Sequence, residues 1–426
     1  MLAADLGKTG VDSAGMAISE HALADPARAA ELDAADPLAD FLDRFEYPDP
    51  NFVYLDANSL GRLPKQTAAR LATVVHDEWA GELVRGWDHW IDMPREVGDR
   101  LGVGLLGARP GEVLVSDSTT VNFYKLATAA LAIRPGRNVV VTDRSNFPTD
   151  RYVLEGLASA HGLEIRWLSP EPVEGIQPAD VAAALDENVA LVTFSHVNYR
   201  SSAIADMPAI TALAHEAGAL VLWDLSHAVG AVPLDLERDG VDLAVGCTYK
   251  YLNAGPGAPA FLYIRRSLQP TMRNPIQGWM GQRDQFAMGQ GYDPQPDMRA
   301  WLTGTPTILA LAAIDEGVEL VVEAGMDRIR AKAVALTEYA IALHDVLLAP
   351  LGFTVGSPRD SARRGAHVSL RRADAEELCG KLMAAGIGTD FRAPDSIRLG
   401  VSPLTTRFRD VWTAVSALAE LAVSRV

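Results

Sequence analysis

Asp224 and Lys250 each follow a short apolar run. The first run, 220–223, stops at Asp224-Leu225-Ser226-His227, and the second, 241–247, stops at Thr248-Tyr249-Lys250. Apolar runs of this length are the pattern of strands buried on both faces of a parallel sheet. Ligands of open α/β sheets sit beyond the carboxyl ends of the strands, so Asp224, His227, Tyr249 and Lys250 are expected to face one crevice. A lysine beside an apolar strand end can shed its proton and form a Schiff base. A carboxylate nearby can keep a pyridinium nitrogen protonated. Those two groups are what pyridoxal phosphate chemistry asks of a protein. The plain alternative is a capping aspartate and a solvated lysine. The turn Asn253-Ala254-Gly255-Pro256-Gly257 after Lys250 favours an element end that a ligand can reach.

Two further loops carry groups of interest. Ser116-Asp117-Ser118-Thr119-Thr120 lies between an expected strand and helix. It reads as an ordinary N-cap, or as a phosphate site built from hydroxyls and free N–H groups at a positive helix end. Asn146-Phe147-Pro148-Thr149-Asp150 also starts a helix, with Pro148 at its first position. There Phe147 offers a ring for stacking and Asp150 an acceptor. Gly102-Val103-Gly104-Leu105-Leu106-Gly107 matches G-x-G-x-x-G, but no strand precedes it, so it is rejected as a dinucleotide fingerprint. The histidines and cysteines show no metal-ligand spacing, and no metal is expected.

These loops need a scaffold. Apolar runs at 112–115, 138–142, 163–168, 190–195 and the two named above alternate with helical stretches at 120–133, 148–161, 178–185 and 208–217. That alternation predicts an α/β fold with a mostly parallel sheet and right-handed crossovers. A strand at 260–264 is expected to join it, antiparallel. Residues 1–50 read as an N-terminal arm and a short helix at 38–45. Residues 51–305, opening with a strand at 53–56, read as the large cofactor-binding domain. Residues 306–426 read as a small α+β domain that takes up part of the N-terminal segment. It is expected to hold helices at 306–348 interrupted near Gly325, strands at 367–370 and 396–400, and helices at 373–385 and 409–424.

Composition narrows the partners. The net charge is −17 and no Lys/Arg tract occurs, which disfavours nucleic acid and anionic membranes. No apolar run is read as reaching the ~18 residues of a membrane span. MLAADLGKTG does not read as a secretory signal, and none is expected. Cys247, read inside a strand, and Cys379, inside a helix, suit a reducing cytosol.

Several segments, in order, resemble the kynureninase family, fold-type I pyridoxal-phosphate enzymes. They are LDANSLGRLP at 55–64, GDRLGVGLLGARPGEVLVSDSTTVN at 98–122, NFPTD at 146–150, SHVNYR at 195–200 and WDLSHAVGAVPLDL at 223–236. GCTYKYLNAGPGAPAF at 246–261, GWMG at 278–281, GTP at 304–306 and RRGAHVSL at 363–370 follow. The resemblance implies that Lys250 holds the cofactor covalently, Asp224 pairs with its ring nitrogen and His227 sits beside it. It implies that Phe147 stacks on the ring, with Pro148, Thr149 and Asp150 in the same loop. Thr119, Thr120, Tyr249, Trp279 and Thr305 would hold the phosphate end, with Ser195 nearby. Arg398 would bind the substrate α-carboxylate, Ser59 would line the substrate pocket, and Tyr249 would relay a proton. The implied assembly is a homodimer in which Trp279 and Thr305 reach the neighbour's site. The implied reaction is hydrolysis of kynurenine, or a substituted kynurenine, to an anthranilate and alanine.

The chain departs from the family pattern where GWFGH becomes Gly278-Trp279-Met280-Gly281-Gln282, where PLY becomes Pro403-Leu404-Thr405, and where a glycine becomes Ser202. These changes leave the aryl substituents of the substrate open. A β-lyase or desulfurase acting on another β-substituted amino acid, and a silent dimeric binding protein, are the rival readings.

Overall fold

In the computed structural model, which describes residues 23–423, the expected strand ends converge on one edge of a seven-stranded sheet. A short strand, β1 (Val53–Tyr54), precedes it. The sheet comprises β2 (Val113–Val115), β3 (Val139–Asp143), β4 (Glu164–Leu168), β5 (Val189–Ser195), β6 (Leu220–Asp224), β7 (Leu243–Gly246) and β8 (Phe261–Ile264). Their spatial order is β2-β8-β7-β6-β5-β3-β4. Strands β3 to β7 pair in parallel, whereas β8 runs antiparallel to both β7 and β2. Every residue of β3, β6, β7 and β8 is buried, because helices cover both faces of the sheet. Each such Val, Leu or Ile contributes about 1.5–3 kcal/mol on leaving water.

The crossover helices start where capping chemistry dictates. Ser118 accepts a hydrogen bond from Val121 N–H at the head of Thr119–Ala132. Pro148 opens Pro148–His161, and Asp206 caps Met207–Glu216 by accepting from Ala209 N–H. The G-x-G-x-x-G stretch lies in a π-helical turn, Gly102–Leu106, that continues the helix Met93–Leu101.

The C-terminal part carries β9 (Thr354–Val355), β10 (His367–Arg371), β11 (Ile387–Gly388), β12 (Asp390–Arg392) and β13 (Ser396–Gly400). An antiparallel sheet has the order β12-β13-β10-β9. The strand expected at 53–56 was read as opening the larger α/β region. It does not join that sheet: β1 pairs in parallel with β11, Val53 opposite Ile387. Two residues are too few to show a period, so sequence could not assign its partner. Past β1 the chain stays stitched to both regions. Gly400 N–H donates to Leu55 O at 2.7 Å, and Gly61 N–H donates to Tyr249 O at 2.8 Å. A Cβ at Gly61 would stand 2.3 Å from Lys250 O, so the close approach requires glycine.

Helices Ile308–Ala324 and Met326–Leu343 meet at Gly325, whose φ of 81° ends the first. The helical run Met326–Leu351 is long and apolar enough on average to cross a membrane by length and composition, although polar residues interrupt it. Half of its most apolar stretch is buried within the fold, as befits a core helix. Of the expected arm at 1–36, residues 1–22 lie outside the described residues. Pro26–Ala34 is a helix that docks on Phe408–Val423, where Asp33 accepts from Phe408 N–H at 2.6 Å.

Candidate active site

The loops after β2, β3, β6 and β7 enclose a cavity of about 190 Å3. Of the expected residues, Thr119, Thr120, Phe147, Thr149, Asp224, His227, Tyr249 and Lys250 line it. Ser118, Ser226, Gly257 and Ala258 join them. From the sequence, Ser118 belongs to the loop read as an N-cap or a phosphate site, Gly257 to a turn, and Ser226 and Ala258 have no role of their own.

Lys250 is 8% exposed, and its Nζ lies 3.3 Å from His227 Nε2 and 5.8 Å from the Phe147 ring centroid. Burial pushes the His227 imidazole well below its ordinary range, reinforced by the charges of Lys250 and Arg398. His227 is therefore a neutral ring that can accept from the lysine. Burial likewise raises Tyr249, which keeps its O–H as a donor.

Asp224 and Asp150 are both buried, and each carboxyl is raised above its ordinary range, first by burial. Asp224 Oδ1 accepts from Ser226 N–H at 2.7 Å, whereas neither oxygen of Asp150 has a hydrogen-bond partner. Two buried carboxyls so close cannot both ionise. Asp224, supported by Ser226 and by the charge of Lys250, is the anion; Asp150, raised further by the charge of Asp224, keeps its proton.

At the other end, Thr120 Oγ1 and Thr149 Oγ1 are 2.7 Å apart, joining the two loops at the head of the helix Thr119–Ala132. Beneath them is a tie that sequence reasoning missed. Lys125 is fully buried, with Nζ 2.5 Å from Asp117 Oδ2 and 2.8 Å from Trp301 O. Thr303 Oγ1 donates to Asp117 Oδ1 at 3.1 Å. A lysine inside an amphipathic helix gives no sequence signal of such a role. Asp117 holds a positive φ of 50°, which turns the loop toward the helix.

Not every expected residue reaches the cavity. Ser195 sits at the end of β5 in register with Asp224, and its Oγ donates to Asn146 Oδ1 at 2.7 Å. Pro148 begins its helix just outside. Trp279, 43% exposed, does not line the cavity of its own chain. Thr305 lines a neighbouring cavity that shares Ser118 and Gly257 with the first. Arg398 and Ser59 lie deeper, at the small sheet. Arg398 is 1% exposed and donates to Asp390 and to Tyr199 O, while Ser59 meets both Arg398 and Asp390.

The four positions that depart from the family pattern also stand outside the cavity. Met280, Ser202 and Thr405 are buried, and Gln282 Oε1 accepts from Asp293 N–H. Ser202 adopts φ 66°, a conformation natural to glycine. Cys247 lies just past the end of β7, not within the strand as expected, and burial raises its thiol as it does that of Cys379. Among the described residues no group of three or more His, Cys, Asp or Glu could hold a metal ion.

These residues fit pyridoxal phosphate. A buried carboxylate beside a neutral carboxyl without partners suits a cationic ring nitrogen. Phe147 offers a ring below the lysine, and Ser118, Thr119 and Thr120 at a helix N-terminus suit a dianion.

Comparison with known proteins agrees. A family model described as "Kynureninase C-terminal domain" matches residues 329–418, and one described as "DegT/DnrJ/EryC1/StrS aminotransferase family" matches 112–237. Kynureninase from Pseudomonas fluorescens is 40% identical over 398 residues, covering 92% of this chain and 94% of that protein. Among solved structures, a cysteine desulfurase from Thermococcus onnurineus NA1 superposes with a TM-score of 0.78 at 16% identity, over 93% of this chain and 98% of that one. A lysine-to-alanine mutant of C-DES, with glycine covalently linked to its PLP cofactor, gives 0.74 at 18% identity, over 87% and 97%. At these identities the two structures speak for the fold alone.

Proposed function

The chain belongs to the kynureninase family, and from that premise we propose how its residues share the work. The protein is a pyridoxal-phosphate-dependent hydrolase that cleaves the Cβ–Cγ bond of L-kynurenine to give anthranilate and L-alanine. The observation that carries the division of roles is the cavity holding Lys250 Nζ, His227 Nε2 at 3.3 Å and the Asp224 carboxylate together.

When bound, pyridoxal phosphate supplies an aldehyde for the substrate amine and a cationic ring that withdraws electrons from Cα. Asp224 keeps the ring nitrogen protonated, and Asp150 stands beside it as a neutral carboxyl. Phe147 covers one ring face. Ser118, Thr119 and Thr120 receive the phosphate, with Tyr249. Lys250, once free, removes the proton from Cα as general base. Tyr249, adjacent to it and kept protonated, delivers a proton to Cβ. Arg398 takes the α-carboxylate, with Ser59 at the same subsite.

Two chains together complete the site in this reading. Trp79, Leu83, Val84, Phe286 and Met288 are exposed apolar side chains. Thr305 lies at an apolar groove with Trp79 and Trp87. A homodimer that covers this surface brings Trp279 and Thr305 to the partner's phosphate. The cysteines are unpaired, in keeping with the cytoplasmic compartment expected from the sequence.

The desulfurase alternative lacks its nucleophile, since both thiols are buried and raised. The test is anthranilate fluorescence on adding kynurenine, 3-hydroxykynurenine or ring-substituted analogues to cofactor-saturated protein. Turnover of one or more is expected. No turnover of any would overturn the reading.

A further inference from the structure

Arg398 is surrounded in an uneven way. It stands on β13 directly opposite Asp390 on β12. Its Nε donates to Asp390 Oδ1 at 2.7 Å and its Nη2 to Asp390 Oδ2, so the carboxylate fills the side-on edge of the guanidinium. The end-on edge, between Nη1 and Nη2, has weaker neutral company. Nη2 meets Ser59 Oγ at 3.4 Å. With its amide oxygen turned toward the guanidinium, Asn58 stands 3.1–3.2 Å from Nε, Nη1 and Nη2 alike, so it lies over the face of the fork and at neither edge. Nη1 also donates to the backbone carbonyl of Tyr199 at 2.5 Å. Asp390 is anchored in turn by Arg392 Nη2 at 2.7 Å.

We propose that Asp390 is a positioning residue for the substrate: it locks Arg398 by its side-on edge, so that the α-carboxylate of the amino acid is received end-on, in exchange for the contact with Ser59. This inference rests on the reading of Arg398 as the carboxylate-binding residue. The physical reason is the inequality of the two edges. Asp390 meets the guanidinium with two parallel bonds and an opposite charge, whereas Ser59 offers a neutral hydroxyl at 3.4 Å, so an incoming carboxylate exchanges for the hydroxyl and leaves Asp390 in place. Among these contacts Asp390 is the charged one, and it fixes two of the three guanidinium nitrogens.

The test compares wild type, Asp390→Asn and Asp390→Ala as cofactor-loaded enzymes. KM for kynurenine is expected to rise about 10-fold or more in both variants, most in Asp390→Ala, with kcat within about 3-fold. Inhibition by the decarboxylated amine analogue, which lacks the group in question, stays unchanged. Spectral titration with L-alanine gives the same comparison without Cβ–Cγ cleavage, so it stands even for an enzyme inert toward kynurenine. Should a variant fail to fold, Asp390→Glu keeps the charge, moves the fork by one methylene and shows the same split. An unchanged or lower KM and alanine affinity overturns the inference, as does an equal loss for the decarboxylated amine. Arg398→Gln separates the levels. If it leaves alanine affinity intact, Arg398 is not the carboxylate subsite and the inference falls with that reading. If it abolishes affinity while the Asp390 variants do not weaken it, the inference alone falls.

Discussion

Lys250 Nζ and His227 Nε2 face each other at 3.3 Å inside a cavity that both residues line. The neutral imidazole is therefore a partner for the lysine without being a competing cation. Replacing Lys250 with Met is expected to abolish the covalent cofactor adduct that borohydride traps, as read by intact mass. Turnover falls by at least the 10²–10⁴-fold typical of a lost general base, a figure on the order of magnitude only. His227→Leu retains the adduct and lowers kcat.

Asp56 gives a stability prediction with a definite sign. Burial, then the charge of Asp390, raises its carboxyl from 3.8 to about 6. Between those values the folded chain keeps a proton that the unfolded chain has released, so stability declines as pH rises through the window. The loss, on the order of 3 kcal/mol, is complete above about pH 6. Asp56→Asn is expected to flatten that decline. Urea unfolding from pH 4 to 8 checks it, and parallel curves for the two proteins would refute it.

The pair Thr120–Thr149 predicts a cofactor phenotype. Thr120→Val removes one hydroxyl at the helix head and breaks the 2.7 Å contact between the loops. Affinity for pyridoxal phosphate is expected to fall about 10-fold, the effect of one hydrogen bond to a charged group. KM for the amino acid, measured at saturating cofactor, stays within about 2-fold. Equilibrium dialysis and steady-state kinetics provide the two readings.

Shared sites predict complementation. Lys250→Ala and Thr305→Ala proteins are each expected to be nearly inactive. Mixed and re-equilibrated, they form dimers in which one site carries neither change, and activity returns to about one quarter of wild type in a 1:1 mixture, by random pairing. Absence of recovery in a mixture shown by mass to contain heterodimers would exclude the shared site.

The parts that were legible in the sequence share a physical cause. Strands β5, β6 and β7 are buried on both faces, so they appear as unbroken apolar runs, and the polar residues after them mark the ligand edge. Lys250, Asp224 and His227 stand out this way, and the loops at Thr119 and Phe147 follow the buried strands β2 and β3 in the same manner. Strands β1, β9, β11 and β12 have two or three residues each, too few for any periodicity. Their partners are fixed by long-range packing. The pairing of Asp390 with Arg398 depends on the register of β12 against β13, which no local pattern encodes. The Lys125–Asp117 tie was hidden for the same reason, since its third member, Trp301, is remote in sequence.

The stretch from Val53 to Gly61 works as a tether of fixed length. It is bonded to Gly388 and Gly400 at one end and to the carbonyl of Tyr249 at the other. If Arg398 is the carboxylate subsite proposed above, any swing of the C-terminal sheet on binding would pull on the backbone that carries Lys250. Grip and reactive amine would then be geared to one another, and an amino acid lacking the carboxylate would leave that gear disengaged.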